Sequence, residues 1–242
     1  MTLHQKVKTT ILIAHILAFT GLIFYFSWWG LTLGLATWVV FNFGVSGGYH
    51  RLFSHRQFEA SRPVQLIFLI AGTLAGIGSC ISWVGQHRLH HANSDVEGKD
   101  PYYSHNGVVK SWIFGPWHVN TSPLVVRDLL RDPVQKLLHD HYFKIQIIYC
   151  LILFTINPVL VFWMWAFPSA MTFTSLQAVG VFGHIVGKRI YHNVPDDSKN
   201  SHWLCILSFG ESYQNTHHYD AKQLVLGPFD LIGHTINKFL VK

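Results

Sequence analysis

Seven of the 17 histidines fall into three short clusters whose spacing suits metal binding. The clusters "HRLFSH", "HRLHH" and "THH" contribute His50 and His55, then His87, His90 and His91, then His217 and His218. Residues three and four apart lie on one side of an α-helix, so the middle cluster can present three imidazoles to a metal. In the first cluster, a gap of five turns the side chains about 140° apart on a regular helix, so we expect a helix end or a π-helical widening there.

The ligand type narrows the choice of metal. Neutral imidazole is a common ligand of transition metals, and the three cysteines have no close pairs that would bind zinc or form a disulfide framework. A zinc site usually closes with four ligands, whereas seven histidines are enough for two ions. We therefore expect a pair of irons, which can activate oxygen. For the middle cluster alone, a solvated basic helix face explains the sequence equally well.

Long uncharged stretches predict an integral membrane protein. Residues 9–49 and 145–187 contain no Lys, Arg, Asp or Glu, and each is long enough for two helices of about 20 residues. We predict that the first pair turns near residues 28–30 and the second pair near residues 167–169. The uncharged stretch 63–87 is long enough for a single crossing.

The distribution of cations indicates which stretches cross the membrane. If only the two pairs cross, all 18 Lys and Arg residues lie on one side, as the positive-inside rule favours. A crossing by residues 63–87 would divide the cations between the two sides. We therefore predict that this stretch lies in the interface and covers the catalytic region.

The predicted fold is all-α, with four transmembrane helices as two hairpins and a cytosolic helical cap that carries the histidine clusters. We expect one domain over residues 1–242, with both termini cytosolic. The predicted parts are transmembrane helices at about 9–28, 30–48, 145–166 and 169–187, an interfacial helix at about 63–82, and cytosolic regions at 50–143 and 188–242.

The net charge of +6 predicts the kind of surface that the cationic side meets. It suits anionic lipid head groups or a phosphate-bearing substrate. We expect membrane lipids as partners and do not expect nucleic acid.

In its motifs the sequence resembles the membrane-bound fatty acid desaturases, most of all their delta-9, stearoyl-CoA desaturase-like group. The stretches "GYHRLFSHRQFEA", "WVGQHRLHH" and "FGESYQNTHH" are similar to the three histidine boxes of that group, and the similarity runs from about Gly44 to the C-terminus. The resemblance implies that the seven clustered histidines hold two Fe²⁺ ions and that His184 is a further ligand. It also implies O₂-dependent desaturation of a fatty acyl chain on CoA or on a lipid, in a bacterial inner membrane or the endoplasmic reticulum. No catalytic residue separate from the metal ligands is expected.

Three positions depart from the pattern of this group. Gln214 stands where the third box normally begins with His, and its amide oxygen is a weaker ligand than imidazole. Gly180 replaces an Asn four residues before His184, and Gln86 replaces the Asp that precedes the second box.

Several polar and aromatic residues are candidates for supporting roles. We expect Glu211, Asn215 and Asp100 to orient ligand imidazoles through their second nitrogen, and Gln214 to be a ligand or a support of one. Trp83 and Trp112 are candidates for lining the acyl-chain tunnel.

The desaturation that the resemblance implies consumes electrons, and the sequence contains no motif for a redox cofactor that would deliver them. It contains no haem-attachment pattern, dinucleotide fingerprint or cysteine set for an iron–sulfur cluster. We therefore expect a separate donor, such as a small cytochrome or ferredoxin with its reductase, which docks on the basic side. The alternatives are a di-iron hydroxylase or ketolase, a non-catalytic lipid or metal sensor that keeps the fold, and a membrane zinc hydrolase.

Overall fold

The computed structural model describes residues 3–103, 107–114 and 121–241. Regular secondary structure in these residues is helical, apart from isolated β-bridges that join Asn200 to Lys188 and to Tyr213. The all-α prediction is confirmed.

Besides two short 3₁₀-helices, at Pro123–Val126 and His202–Leu204, the described residues form α-helices. In chain order they are α1 (Leu3–Phe24), α2 (Trp28–Ser54), α3 (Arg62–Leu74), α4 (Cys80–Asn93), α5 (Val108–Phe114), α6 (Arg127–Leu130), α7 (Pro133–Asp140), α8 (Tyr142–Ile156), α9 (Val159–Ile185), α10 (Cys205–Ser208), α11 (Gln214–Tyr219) and α12 (Leu231–Phe239). Two of them contain π-helical turns, over Phe43–Ser54 in α2 and over Phe162–Ala166 in α9.

Three helices of the described residues are long and apolar enough to cross a membrane. They are Gln5–Phe24 within α1, α2 and α9, and α9 packs against both of the others. The predicted fourth crossing falls on α8, which has only 15 residues. A helix of that length extends about 22 Å, less than the roughly 30 Å of a hydrocarbon core. Length and composition therefore support three spans, and a fourth is not established.

The second hairpin turns ten residues earlier than predicted. The break lies at Asn157 and Pro158, while α9 continues through Pro168, where the turn was expected. Proline removes the amide that would bond the carbonyl four residues back. That carbonyl, on Met164, accepts the Tyr149 hydroxyl at 3.0 Å instead, so the helix passes the proline without an unpaired group.

The stretch predicted to form a single interfacial helix at 63–82 consists of two helices. α3 ends at Leu74 and α4 begins at Cys80, with Gly76 and Gly78 at positive φ between them. Positive φ is the region that glycine adopts without a steric cost. The turn lets α4 run back across the π-helical end of α2, which brings the first two histidine clusters together.

The contact between α2 and α3 depends on a close approach of two backbones. A Cβ on Gly44 would lie 2.3 Å from the backbone nitrogen of Gly72. We predict that Gly44→Ala lowers the free energy of unfolding by about 1–3 kcal/mol, because the backbones must separate. Denaturant or thermal unfolding in detergent measures the change.

Gly180→Ala is the matched control. An added Cβ there has its closest contact at 3.7 Å, with Tyr102, so alanine fits and removes the conformational freedom of glycine in the unfolded chain. Equal stability of Gly44→Ala and the unchanged protein would show that the α2–α3 contact is looser than described.

Candidate metal centre

The π-helical end of α2 brings the two histidines of the first cluster together. The amide of His55 donates to the carbonyl of His50 at 3.1 Å, the five-residue bond of a π-helix. The two imidazole centroids lie 4.9 Å apart. The widening that the five-residue spacing predicts is confirmed.

The spacing of the second cluster predicts that its three imidazoles face one point, but they do not. His87 and His91 turn toward the first cluster, and their Nε2 atoms lie 3.1 Å apart. His90 turns away, with its ring centroid 5.3 Å from that of His184 and 5.1 Å from that of His218. Adjacent residues of an α-helix point about 100° apart, so α4 can serve two neighbouring groups.

Five imidazoles meet in one place, which we call the five-histidine group. It consists of His50, His55, His87, His91 and His217, with one nitrogen of each within 4.8 Å of the others. His217 Nε2 lies 3.0 Å from His50 Nε2 and 2.9 Å from His91 Nε2. His87 Nε2 lies 2.7 Å from His55 Nε2.

These separations fit a metal coordination shell. Imidazole nitrogens lie about 2.1 Å from a first-row metal ion, so two ligands at right angles are about 3 Å apart. A neutral imidazole carries one proton, and His50 donates its proton from Nδ1 to Glu211, so its Nε2 presents a lone pair to the group. A bound cation would satisfy such converging lone pairs.

A second set, the three-histidine group, lies beside the first. His90, His184 and His218 place one nitrogen each within 4.8 Å of the others. The Nε2 atoms of His184 and His218 are buried and have no hydrogen-bond partner among the described residues. Buried polar atoms are rarely left unpaired, so these two nitrogens also fit a bound ion.

Two of the predicted supporting carboxylates hold imidazoles. Glu211 accepts a hydrogen bond from His50 Nδ1 at 2.6 Å, and Asp100 accepts one from His90 Nδ1 at 2.8 Å. A carboxylate on one ring nitrogen fixes the tautomer and aims the other nitrogen at the metal.

Two further carboxylates act in the same way but were not predicted. Asp95 lies 2.8 Å from His184 Nδ1, and Asp196 lies 2.5 Å from His218 Nδ1. The chain has only 12 acidic residues. Asp95 lies in a short polar segment after the second histidine cluster, and Asp196 lies in a short polar segment before the third cluster. That scarcity is the signal that could have identified them.

Asn215 does not orient an imidazole as predicted. Its Oδ1 accepts from the backbone amides of Ile190 and Tyr191, and its Nδ2 donates to the Tyr191 carbonyl, so it holds the loop after α9. Gln214 donates from Nε2 to the Glu211 carbonyl at 2.7 Å and packs against Gly183.

A buried arginine connects the first and third clusters. Arg51 bonds Glu211 and Asp230, each at 2.9 Å, and also the carbonyl of Leu224. Arg51 and Asp230 are fully buried, and Glu211 is nearly so. His50 is therefore positioned through Glu211 by a network that reaches the start of α12.

The surroundings keep His55 and His218 neutral and Glu211 ionised. Burial lowers the pKa of His55 to about 2, with a contribution from neighbouring His50, and lowers the pKa of His218 to about 4 despite its bond to Asp196. Burial raises the pKa of Glu211, but Arg51 and His50 outweigh it and bring the value down to about 2. Neutral imidazoles and ionised carboxylates are the forms that bind a cation and support its ligands.

A cavity of about 60 Å³ opens between the two groups. Its lining includes His50, His87, His90, Gly180 and Gln214. A second small cavity, of about 20 Å³, shares Trp83 with the first and extends to Ile77 and Phe173. Trp83 therefore lies on a path that leads away from the imidazoles. Trp112 does not line either cavity; it donates to the carbonyl of Thr174 on α9.

Comparisons with known proteins agree with this geometry. The family model described as "Fatty acid desaturase" matches residues 26–223. The chain is 33% identical over 200 residues to an sn-1 stearoyl-lipid 9-desaturase of Anabaena variabilis, covering 80% of this chain and 72% of that protein. It is 30% identical to the Delta(9)-fatty-acid desaturase fat-7 of Caenorhabditis elegans, covering 90% and 70%. It is 28% identical to a hex-5-enoyl-[acyl-carrier protein] acetylenase of Moorena producens, covering 83% and 71%.

Removing one supporting charge should empty one group and spare the other. We predict that Asp196→Asn lowers metal affinity at the three-histidine group about 10–100-fold, because His218 loses its anionic partner. Metal content per chain, measured by mass spectrometry after dialysis against a weak chelator, should fall by about half.

Asp140→Asn is the control, since Asp140 is exposed and pairs only with Lys136 among the described residues. Equal metal content in both variants would mean that Asp196 has no part in holding an ion.

Proposed function

The chain belongs to the fatty acid desaturase family, and from that premise we propose that it removes two hydrogens from a fatty acyl chain at a histidine-ligated di-iron centre. The observation that carries the proposal is the pair of buried imidazole groups beside a shared cavity. The family match supplies the reaction, and the convergence of these side chains supports its location in this chain.

We propose that the eight histidines of the two groups are the metal ligands. A donor set of neutral nitrogens without thiolate suits iron, and the orphaned Nε2 atoms of His184 and His218 support an ion in the smaller group. Bound iron would supply the oxidising power, with O₂, that no side chain has. The protein residues have other tasks. Glu211, Asp100, Asp95 and Asp196 each hold a proton on the Nδ1 atom of the one histidine that they bond. The buried surroundings exclude bulk water.

The two groups are unequal, and two of the three positions that depart from the family pattern lie beside the smaller one. Gln214 and Gly180 both line the cavity next to His90. We propose that the ion of the three-histidine group is held less tightly and faces the cavity. Trp83, between the cavity and its neighbour, then lines the path of the acyl chain.

The substrate we propose is a fatty acyl chain on a membrane lipid or on CoA, with the double bond introduced at a delta-9 type position. The relatives named above include a desaturase whose name specifies a lipid-bound acyl chain. The apolar helices place such a chain within reach of lipid.

The membrane arrangement we propose has four crossings, with α8 as the fourth. One domain then spans residues 1–242, and the termini and histidine groups lie on the cytosolic side of a bacterial inner membrane or the endoplasmic reticulum. The uncharged stretch 145–187 and the resulting one-sided distribution of Lys and Arg support it.

Product analysis tests the reaction. Expressed in cells that lack their own desaturase, with a reductase system present, the chain should give new monounsaturated fatty acids in the lipid profile. His217→Ala should abolish them, since His217 contacts two other ligands of the five-histidine group. His192→Ala, at an exposed histidine outside both groups, should leave them unchanged.

An oxygenated product would instead favour a hydroxylase or ketolase. Unchanged lipids, with metal-loaded protein in the membrane, would favour a non-catalytic sensor.

We propose that electrons arrive from a separate small acidic carrier that docks on the basic side. The net charge of +6 makes this association electrostatic, so its rate should fall as salt is raised. Stopped-flow reduction of the metal-loaded protein by an acidic cytochrome or ferredoxin measures it. A rate that is insensitive to salt would contradict electrostatic docking.

A further inference from the structure

One face of α2 carries polar atoms that the metal centre does not use. Trp38, Asn42 and Ser46 are spaced four residues apart, so they lie on the same side of the helix. All three are buried, with exposures of 8%, 0% and 1%. Trp38 Nε1, Asn42 Oδ1 and Ser46 Oγ have no hydrogen-bond partner among the described residues. Three unpaired buried atoms in one row are unusual, because a buried polar atom without a partner destabilises the folded protein.

The chemistry of this row defines what can satisfy it. Asn42 Nδ2 donates to the Trp38 carbonyl at 3.0 Å, and a carbonyl can only accept, so the amide orientation is fixed and Oδ1 must act as the acceptor. The indole nitrogen of Trp38 can only donate. A single group that bonds both Trp38 Nε1 and Asn42 Oδ1 must therefore accept one hydrogen bond and donate another, which a hydroxyl oxygen does and a carbonyl or a cation does not.

The row connects two cavities. At its outer end Trp38 lines an apolar groove of about 550 Å³, together with Phe209 and Phe229. At its inner end Ser46 lines the small cavity beside His50. Asn42 lies eight residues before His50 on the same helix. Each end of the row therefore lies beside a cavity.

We propose that Trp38, Asn42 and Ser46 form a binding site for hydroxyl oxygens, in line with the metal centre along α2. Two sources share this chemistry: ordered water, and a hydroxyl substituent on an acyl chain that extends from the metal centre. The site itself does not depend on the proposed reaction; only the assignment to a substrate hydroxyl rests on the proposed function.

The chain contains internal standards for a test. Trp163 and Trp165 are buried to 2% and 4% exposure, but their indole nitrogens bond the Tyr25 carbonyl and Gln146 Oε1. Hydroxyl-radical footprinting of the full metal-loaded chain in lipid nanodiscs, in oxygen-18 water, labels side chains that contact bound water. Trp38 should be oxidised several-fold faster than Trp163 and Trp165.

Variants that remove polar atoms of the row show whether Trp38 labelling depends on hydrogen bonds within the row or only on access through the groove. Ser46→Ala and Asn42→Leu should bring Trp38 labelling down toward that of Trp163. Thr37→Val is the matched control on the same helix, because the Thr37 hydroxyl already bonds the Leu33 carbonyl. Trp38 labelling equal to that of Trp163 and Trp165 in the unchanged protein, or unaffected by both row variants, would overturn the proposal.

Added lipid distinguishes the two sources. The probes are phosphatidylcholine with a mid-chain hydroxyl and phosphatidylcholine with plain acyl chains. Protection of Trp38 by the hydroxylated lipid alone assigns the site to a substrate hydroxyl, and protection by neither assigns it to water. Equal protection by both lipids would mean that the row binds acyl chains without regard to hydroxyl groups, which contradicts the proposal. The readout does not require turnover, so an inactive protein would not obscure the result.

Discussion

Buried imidazole nitrogens that converge within about 3 Å of one another are the constraint on which the rest of the structure depends. In the five-histidine group, His217 Nε2 contacts both His50 Nε2 and His91 Nε2, and one ring nitrogen, which carries either one proton or one lone pair, cannot make a well-aligned hydrogen bond to both. Burial lowers the pKa of His217 well below its usual value, so charging the ring does not relieve the arrangement. A bound cation would supply what these nitrogens lack. Folding of this region and metal binding are therefore expected to be coupled.

The helices and the buried ion pairs hold these imidazole nitrogens close together. A π-helical end brings His50 and His55 to one side of α2, and a glycine turn sends α4 back across it. Arg51 then connects Glu211, which orients His50, to Asp230 at the start of α12. Buried ion pairs add little net stability, but losing one partner leaves a buried charge unpaired. Their value here is positional, since they hold segments distant in sequence in one register.

The sequence predicts the positions that local spacing determines and misses those that tertiary packing determines. The five-residue gap between His50 and His55 predicts a helix end or a π-helical widening, because a regular helix would turn the two side chains apart. The i, i+3, i+4 spacing of the second cluster predicts a shared face but not that His90 serves a different group. Asp95 and Asp196 come from loops, whose paths no periodicity reveals. Pro168 was expected to end a helix, and only the hydroxyl of Tyr149, on a neighbouring helix, explains why it does not.

The most direct test of the central claim is anomalous scattering from crystals of the full chain purified with iron, measured at the iron absorption edge and at the zinc edge. The account predicts two iron peaks per chain, one within the five-histidine group and one between His90, His184 and His218. A single peak, a zinc signal in place of iron, or no peak with both groups in the described arrangement would contradict it.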